Sequence, residues 1–221
     1  MQNLNINNYI INIFQSNTPQ KDPIIYTHLT LKDASSVMKL CPEANFTLIS
    51  IEGVDWNKNM SPWYAKKVFK SDKDFAGKAD EYLNILAYEI IPEIENKLGF
   101  IPMDRGIVGY SMAGLFSIYS LYKTDIFNFA ASISGSLWFD RFINYIKTNE
   151  ISSKVKKIYL SLGDEEKNSK NYRIKQVEEL TINAAQHFKS LGISSFYEEN
   201  KGGHFTDAIE RTVKGINWLV E

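Results

Sequence analysis

Apolar positions along the chain follow two alternating rhythms. Short runs rich in β-branched and aromatic residues at 9–14, 24–29, 46–51, 106–110, 127–133, 157–162 and 195–198 predict β-strands, because such side chains suit a buried pleat. Between most of them, apolar residues recur at three and four, the spacing of one helix face. The longest such segment predicts a helix over 74–98, through Phe75, Ala79, Leu83, Leu86, Ile90, Ile94 and Leu98, kinked at Pro92. Two more are predicted over 172–191, through Ile174, Val177, Leu180, Ala184, Phe188 and Leu191, and over 207–220, through Ile209, Val213, Ile216 and Leu219. Another begins near Met112 and is apolar almost all round, which suits an element buried behind a central strand.

Strands alternating with helices predict an α/β fold, with a mostly parallel central sheet covered by helices on both faces. The first two strands are expected to form an antiparallel edge at the N-terminal side. In such sheets ligands bind beyond the carboxyl ends of the strands. That rule singles out the loops at 52–70, 135–139, 163–171 and 200–205, and the strand-to-helix junction at 109–114.

The composition narrows the classes. With 221 residues, 44% of them hydrophobic, the chain is expected to form one domain over 1–221 that fills its core without disulfides or metals. Its 25 basic and 26 acidic residues leave a net charge of -1, which offers no long-range field to nucleic acid or an anionic membrane. Neither is an expected partner. The single cysteine, Cys41, precludes an intrachain disulfide and, placed before Pro42 without a nearby histidine, reads as structural. Residues 1–8 are polar and Asn-rich, unlike a secretory leader, and no run reaches the roughly 18 to 20 apolar residues of a membrane span. A cytoplasmic location is expected; the pattern says nothing of oligomeric state.

Candidate chemistry centres on Gly109-Tyr110-Ser111-Met112-Ala113-Gly114. A serine between small residues, where an apolar strand meets an apolar helix, has the form of a nucleophile elbow. The sharp bend holds the hydroxyl clear of the backbone, and Gly109, Ala113 and Gly114 are small enough to let the turn close. Gly109, Ser111 and Gly114 also match the spacing of a dinucleotide-binding loop. Against that reading, a serine replaces the middle glycine that lets a pyrophosphate approach, and no acidic residue ends the next strand to hold a ribose.

A nucleophilic serine needs a base and an orienting carboxylate, in chain order serine, acid, histidine. Of the three histidines, His28 lies in a predicted strand and His187 in a predicted helix, so both read as structural. His204 follows Lys201-Gly202-Gly203 between the last strand and the last helix, where a base belongs. The acid is ambiguous, because the strand at 157–162 runs into Gly163-Asp164-Glu165-Glu166. Glu166 has the reach to turn back under the imidazole, Asp164 would leave straight from the strand end, and Glu165 is expected to face water. A serine-histidine dyad without an acid also remains open. The oxyanion donors are expected to be the N–H of Met112 and that of Gly53, in the loop after the strand counted third. With no paired cysteines, histidine cluster or H-E-x-x-H motif, neither a metal nor any other cofactor is expected.

Several ordered motifs beyond the elbow carry a resemblance to a known family. Ile91-Pro92-Glu93, Asp104 through Gly114, Ser132-Ile133-Ser134-Gly135-Ser136-Leu137-Trp138 and Gly202-Gly203-His204 resemble the enterochelin and siderophore esterase-like branch of the α/β-hydrolases. Asp55-Trp56 and Ser61-Pro62-Trp63 are similar to that branch too. The resemblance covers about residues 20 to 221 and implies an α/β-hydrolase fold; as a departure, the chain is expected to lack room for a large added substrate domain. It implies hydrolysis of a carboxylic ester through an acyl-enzyme, with Ser111 as nucleophile and His204 as base. Siderophore, acetyl-sugar and simple acyl esters are all compatible small-molecule substrates. Ala113 departs from the glycine found in many members.

Trp63 and Trp138, with Trp56, Tyr64 and Phe139, are expected around Ser111 as an aromatic pocket. Lys66, Lys67, Lys70 and Lys73 charge the same region, more simply as a solvated surface. Two rival readings remain. A hydrolase fold kept only for ligand binding would need neither Ser111 nor His204, whereas a thioesterase or peptidase would use the same groups.

Overall fold

The computed structural model describes residues 1–221. Its chain begins with a hairpin that the apolar pattern alone does not announce. Gln2–Ile6 (β1) and Tyr9–Phe14 (β2) pair antiparallel across Asn7 and Asn8, which have φ of 50° and 67°. Two left-handed residues in succession give a turn whose twist matches the hairpin, and asparagine tolerates that conformation. As an edge strand, β1 keeps mostly polar side chains, so its hydrophobic signal is weak.

Ile24–Thr27 (β3), Leu31–Leu40 (α1), Thr47–Glu52 (β4) and the short Trp56–Asn59 (α2) follow. Tyr64–Ala65 (β5) and Phe75–Ala76 (β6) then form a small separate hairpin. Phe75 therefore lies outside the helix expected over 74–98. That helix is Ala79–Ile85 (α3), a wide π turn at Leu86–Ile90, and Ile91–Leu98 (α4). Pro92 stands in the first turn of α4, where its missing N–H is tolerated, and the irregularity falls in the turn before it. The remainder alternates: Arg105–Tyr110 (β7), Met112–Ser120 (α5), Phe129–Ile133 (β8), Phe142–Thr148 (α6), Lys157–Gly163 (β9), Val177–Ser190 (α7), Ser194–Asn200 (β10) and Ala208–Val220 (α8).

Eight strands form one sheet in the order β1-β2-β4-β3-β7-β8-β9-β10. From β4 onward all neighbours are parallel, and the N-terminal edge is antiparallel. The edge consists of β1 and β2. β3, expected beside β2, lies inside the parallel region between β4 and β7.

Successive strand residues face opposite sides, so Ile24, Ile107, Ala130 and Ile158 join one core while Ile25, Val108, Ala131 and Tyr159 join the other. Residues of α3 to α7 contribute to the first core, and those of α1 and α8 to the second. All nine residues of α5 are buried. At the lower end of β7, the Glu95 carboxylate accepts from Arg105 Nε and Nη2 at 2.6 and 2.7 Å and from the Tyr26 hydroxyl at 3.1 Å. This ties α4 to the strand whose other end carries Ser111. No helix is long and apolar enough to cross a membrane.

Candidate active site

Between β7 and α5, Ser111 alone makes the turn, with φ 57° and ψ -120°. A non-glycine residue there is strained by about 1–3 kcal/mol and persists only when its surroundings hold it. They do so through the backbone: Ser111 N–H donates to Ile133 O, and Ser136 N–H donates to Ser111 O, both at 3.0 Å. The small neighbours have steric reasons as well. A Cβ on Gly109 would lie 2.0 Å from Ala113 O, and one on Gly135 would lie 1.9 Å from Ser132 Oγ.

The loop after β10 carries His204 back across the sheet edge. Its Nε2 is 3.1 Å from Ser111 Oγ and its Nδ1 is 2.7 Å from Glu166 Oε2. Gly202 has φ 93°, and its carbonyl lies where a Cβ on Gly163 would be only 2.1 Å away, so the acid and base loops touch through glycines. The Tyr110 hydroxyl donates to His204 O and fixes the loop from the elbow side.

Glu166 is buried in a short 3-10 turn after β9. Its Oε1 accepts from Gly163 N–H at 2.7 Å and from the Ser134 hydroxyl at 2.8 Å. Burial alone would raise its carboxyl pKa, but the His204 hydrogen bond and those from Gly163 and Ser134 prevail and hold it below the usual value. Behind it, fully buried Arg211 of α8 has Nη1 3.6 Å from Oε1. The same guanidinium donates to Ser134 Oγ and Gly203 O at 3.2 Å and to Lys201 O at 2.7 Å.

Of the other carboxylates, Asp164 accepts from Lys201 Nζ at 2.7 Å and Gly202 N–H at 2.9 Å, and so ties the two loops together without meeting the imidazole. Glu165 is exposed, as expected. Met112 begins α5 beside Ser111, and the first N–H groups of a helix lack an intrahelical acceptor. Gly53 is not brought to this site. It packs against Asn8 and Tyr9 of the N-terminal hairpin, whereas His28, Leu29 and Thr30 line the cavity beside Ser111. The reason is one of counting: with β1 included, the third strand is Ile24–Thr27, and the loop that follows it is 28–30.

A cavity of about 740 Å³ opens over Ser111 and His204, with Trp56 and Trp138 in its wall. Trp63 is not there. Its indole N–H donates to Asp140 O at 3.0 Å, and its ring packs on Phe139, Phe142 and Tyr145. Phe139 is core and Tyr64 is turned out to Asp74. The lysine-rich loop is engaged with itself: Lys66 pairs with Asp74 at 2.9 Å, and Lys67 Nζ donates to Lys70 O and Asp72 O.

Ser134 and Tyr110 enter the sequence reading only as members of motifs, without a role at the site, and Arg211 does not enter it at all. Arg211 carries a trace: it shares a helix face with Gly215, whose missing Cβ lets α8 press within reach of Ile133 and Tyr159. A cation on that face must be buried against the sheet and must find acceptors.

Residues 38–209 match the family model described as "Putative esterase". The uncharacterised protein YbbA of Bacillus subtilis (strain 168) is 24% identical over 204 residues, which are 89% of this chain and 81% of that one. Among solved structures, the chain is similar in fold to an IroE-like serine hydrolase from Shewanella oneidensis, with TM-score 0.76 and 15% identity over 96% of this chain and 75% of that one. It is similar also to the siderophore hydrolase EstB from Aspergillus nidulans, with TM-score 0.74 and 16% identity over 100% and 94%.

Proposed function

The chain belongs to the esterase family whose model spans residues 38–209, and from that premise we propose that it cleaves a carboxylic ester through a serine acyl-enzyme, within a single α/β-hydrolase domain that has no separate cap. One observation carries the reading: the continuous Ser111–His204–Glu166 hydrogen-bond chain at a strained strand-to-helix turn, 3.1 and 2.7 Å in its two links.

In this mechanism His204 Nε2 takes the Ser111 proton as Oγ attacks the ester carbonyl. Glu166 accepts from Nδ1–H, fixing the tautomer and stabilising the imidazolium, while Ser134, Gly163 and Arg211 hold Glu166 in place. The negative oxygen of the tetrahedral intermediate accepts from Met112 N–H and from a backbone N–H of Leu29 or Thr30, neither of which takes part in the loop's backbone hydrogen bonds. Collapse expels the alcohol, which receives its proton from His204. Water, deprotonated by the same imidazole, then attacks the acyl-enzyme, releasing the acid and restoring Ser111. Every proton transferred passes through His204, so the cycle needs no cofactor.

The test is a panel of short acyl esters with a fluorophosphonate probe. The probe should label Ser111 in the folded protein, and Ser111→Ala should lose on the order of 10⁶-fold in kcat. A Ser111→Ala protein within tenfold of the parent, or a probe that leaves Ser111 unmodified in active protein, sinks the reading.

A further inference from the structure

The cavity over Ser111 has much more room than a reacting carbonyl needs, and its wall is chemically one-sided. Trp56, Phe69, Trp138, Ile174, Phe205 and Ile209 supply much of it, with Phe69 and Phe205 largely exposed. The ionisable groups in the wall apart from His204, His28 and Tyr110 are the carboxylates of Asp33, Glu165 and Glu166, and no lysine or arginine lines it. Glu166 is already engaged with His204. Asp33 accepts only from the neutral Thr30 hydroxyl, and Glu165 has no side-chain partner, so neither negative charge is compensated by an ion pair.

Five cations on adjoining elements are turned to other work, and Lys32, Lys70, Lys170 and Lys175, next in sequence to lining residues, do not line the cavity themselves. Arg173 lies behind Trp138, 5.3 Å from the ring, and pairs with Asp140. Lys66 pairs with Asp74, Lys167 with Glu178 and Lys201 with Asp164. Arg211 spends its donors on Ser134 and two loop carbonyls. An anion placed against this apolar wall would lose hydration without gaining a counter-charge, and the two free carboxylates would repel it.

We propose that this site takes an ester with an apolar acyl or aryl portion and no negative charge, and that it rejects polyanionic esters. The proposal rests on the serine-esterase reading for turnover but not for binding. Aromatic and aliphatic side chains hold the apolar portion; Asp33 and Glu165 set the charge preference.

Three p-nitrophenyl esters of equal chain length, ending in methyl, carboxylate or trimethylammonium, test it in the intact protein. The carboxylate ester should fall at least about tenfold below the methyl ester in kcat/KM, the size expected for an uncompensated like charge near a protein surface, and the trimethylammonium ester should at least match it. Glu165→Lys, at an exposed side chain, should raise the carboxylate-to-methyl ratio several-fold. A carboxylate ester within threefold of the methyl ester, or a ratio unmoved by Glu165→Lys, overturns the proposal. Calorimetry of hexyltrimethylammonium and hexyl sulfonate on Ser111→Ala protein examines the same preference without turnover. Binding of the cation alone supports the proposal even if no ester is cleaved, in which case only the catalytic reading fails; equal binding, or preference for the sulfonate, defeats it even if esters are cleaved.

Discussion

Asp164 and Glu166 stand two residues apart after the same strand and do different work. Asp164 lies below its ordinary pKa because Lys201 and the Gly202 N–H bind it at the surface; Glu166 does so against its own burial, through His204, Gly163 and Ser134. If Glu166 orients the imidazole, Glu166→Gln should lower kcat about 10⁴-fold, because the amide favours the wrong tautomer. Asp164→Asn should cost less than tenfold in the same steady-state assay. A reversed order would transfer the role to Asp164. The sequence showed three carboxylates in a row, and only the 3-10 turn at Glu166–Asn168 decides which one folds inward. The placing of His204 after the last strand was legible in the chain, but the Arg211 and Ser134 contacts were not, since they join residues far apart in sequence.

At the scale of elements, the bend from β7 to α5 depends on close backbone approach more than on side-chain packing. Gly109→Ala would put a methyl 2.0 Å from the Ala113 carbonyl, which is backbone and cannot rotate away. We expect a destabilisation of about 4 kcal/mol or more, among the largest for a single substitution, read from urea unfolding monitored by circular dichroism. A loss below about 1 kcal/mol would show that the turn can relax. The elbow was readable because sterics leave few residue types for it. Short elements were less so: α2, α6 and the β5–β6 hairpin lack the length for a clear period, and the polar β1 escaped notice. Missing β1 displaced the strand count by one and put the oxyanion expectation on Gly53, away from the cavity that residues 28–30 line.

For the whole molecule, the buried histidine beside the site makes stability depend on pH. His28 is buried with Nε2 2.8 Å from the Tyr82 hydroxyl, and burial lowers its pKa from 6.5 to about 3. Between those values the unfolded chain binds a proton that the folded one refuses, so stability is greatest above pH 6.5 and falls as pH drops, by up to roughly 1.4 kcal/mol per unit from this group. Glu166 adds to the loss only at lower pH: its folded pKa is depressed, so its contribution is present above its ordinary 4.5 and fades as pH falls through the folded value. Urea midpoints from pH 7.5 to 5 should decline for the parent and flatten for His28→Gln; equal slopes would show that His28 is not the group responsible.

From the sequence alone came the α/β class, the mostly parallel sheet, the sharp turn at Ser111 and the place of His204 and the 164–166 carboxylates after strand ends, because periodicity, steric exclusion and chain order are local or one-dimensional properties. Only the tertiary structure showed which carboxylate meets His204, which loop lies beside Ser111, which tryptophans face the cavity and how charge is distributed around it. Those depend on distances between residues remote in sequence, such as Asp33 and Glu165, which no local pattern encodes.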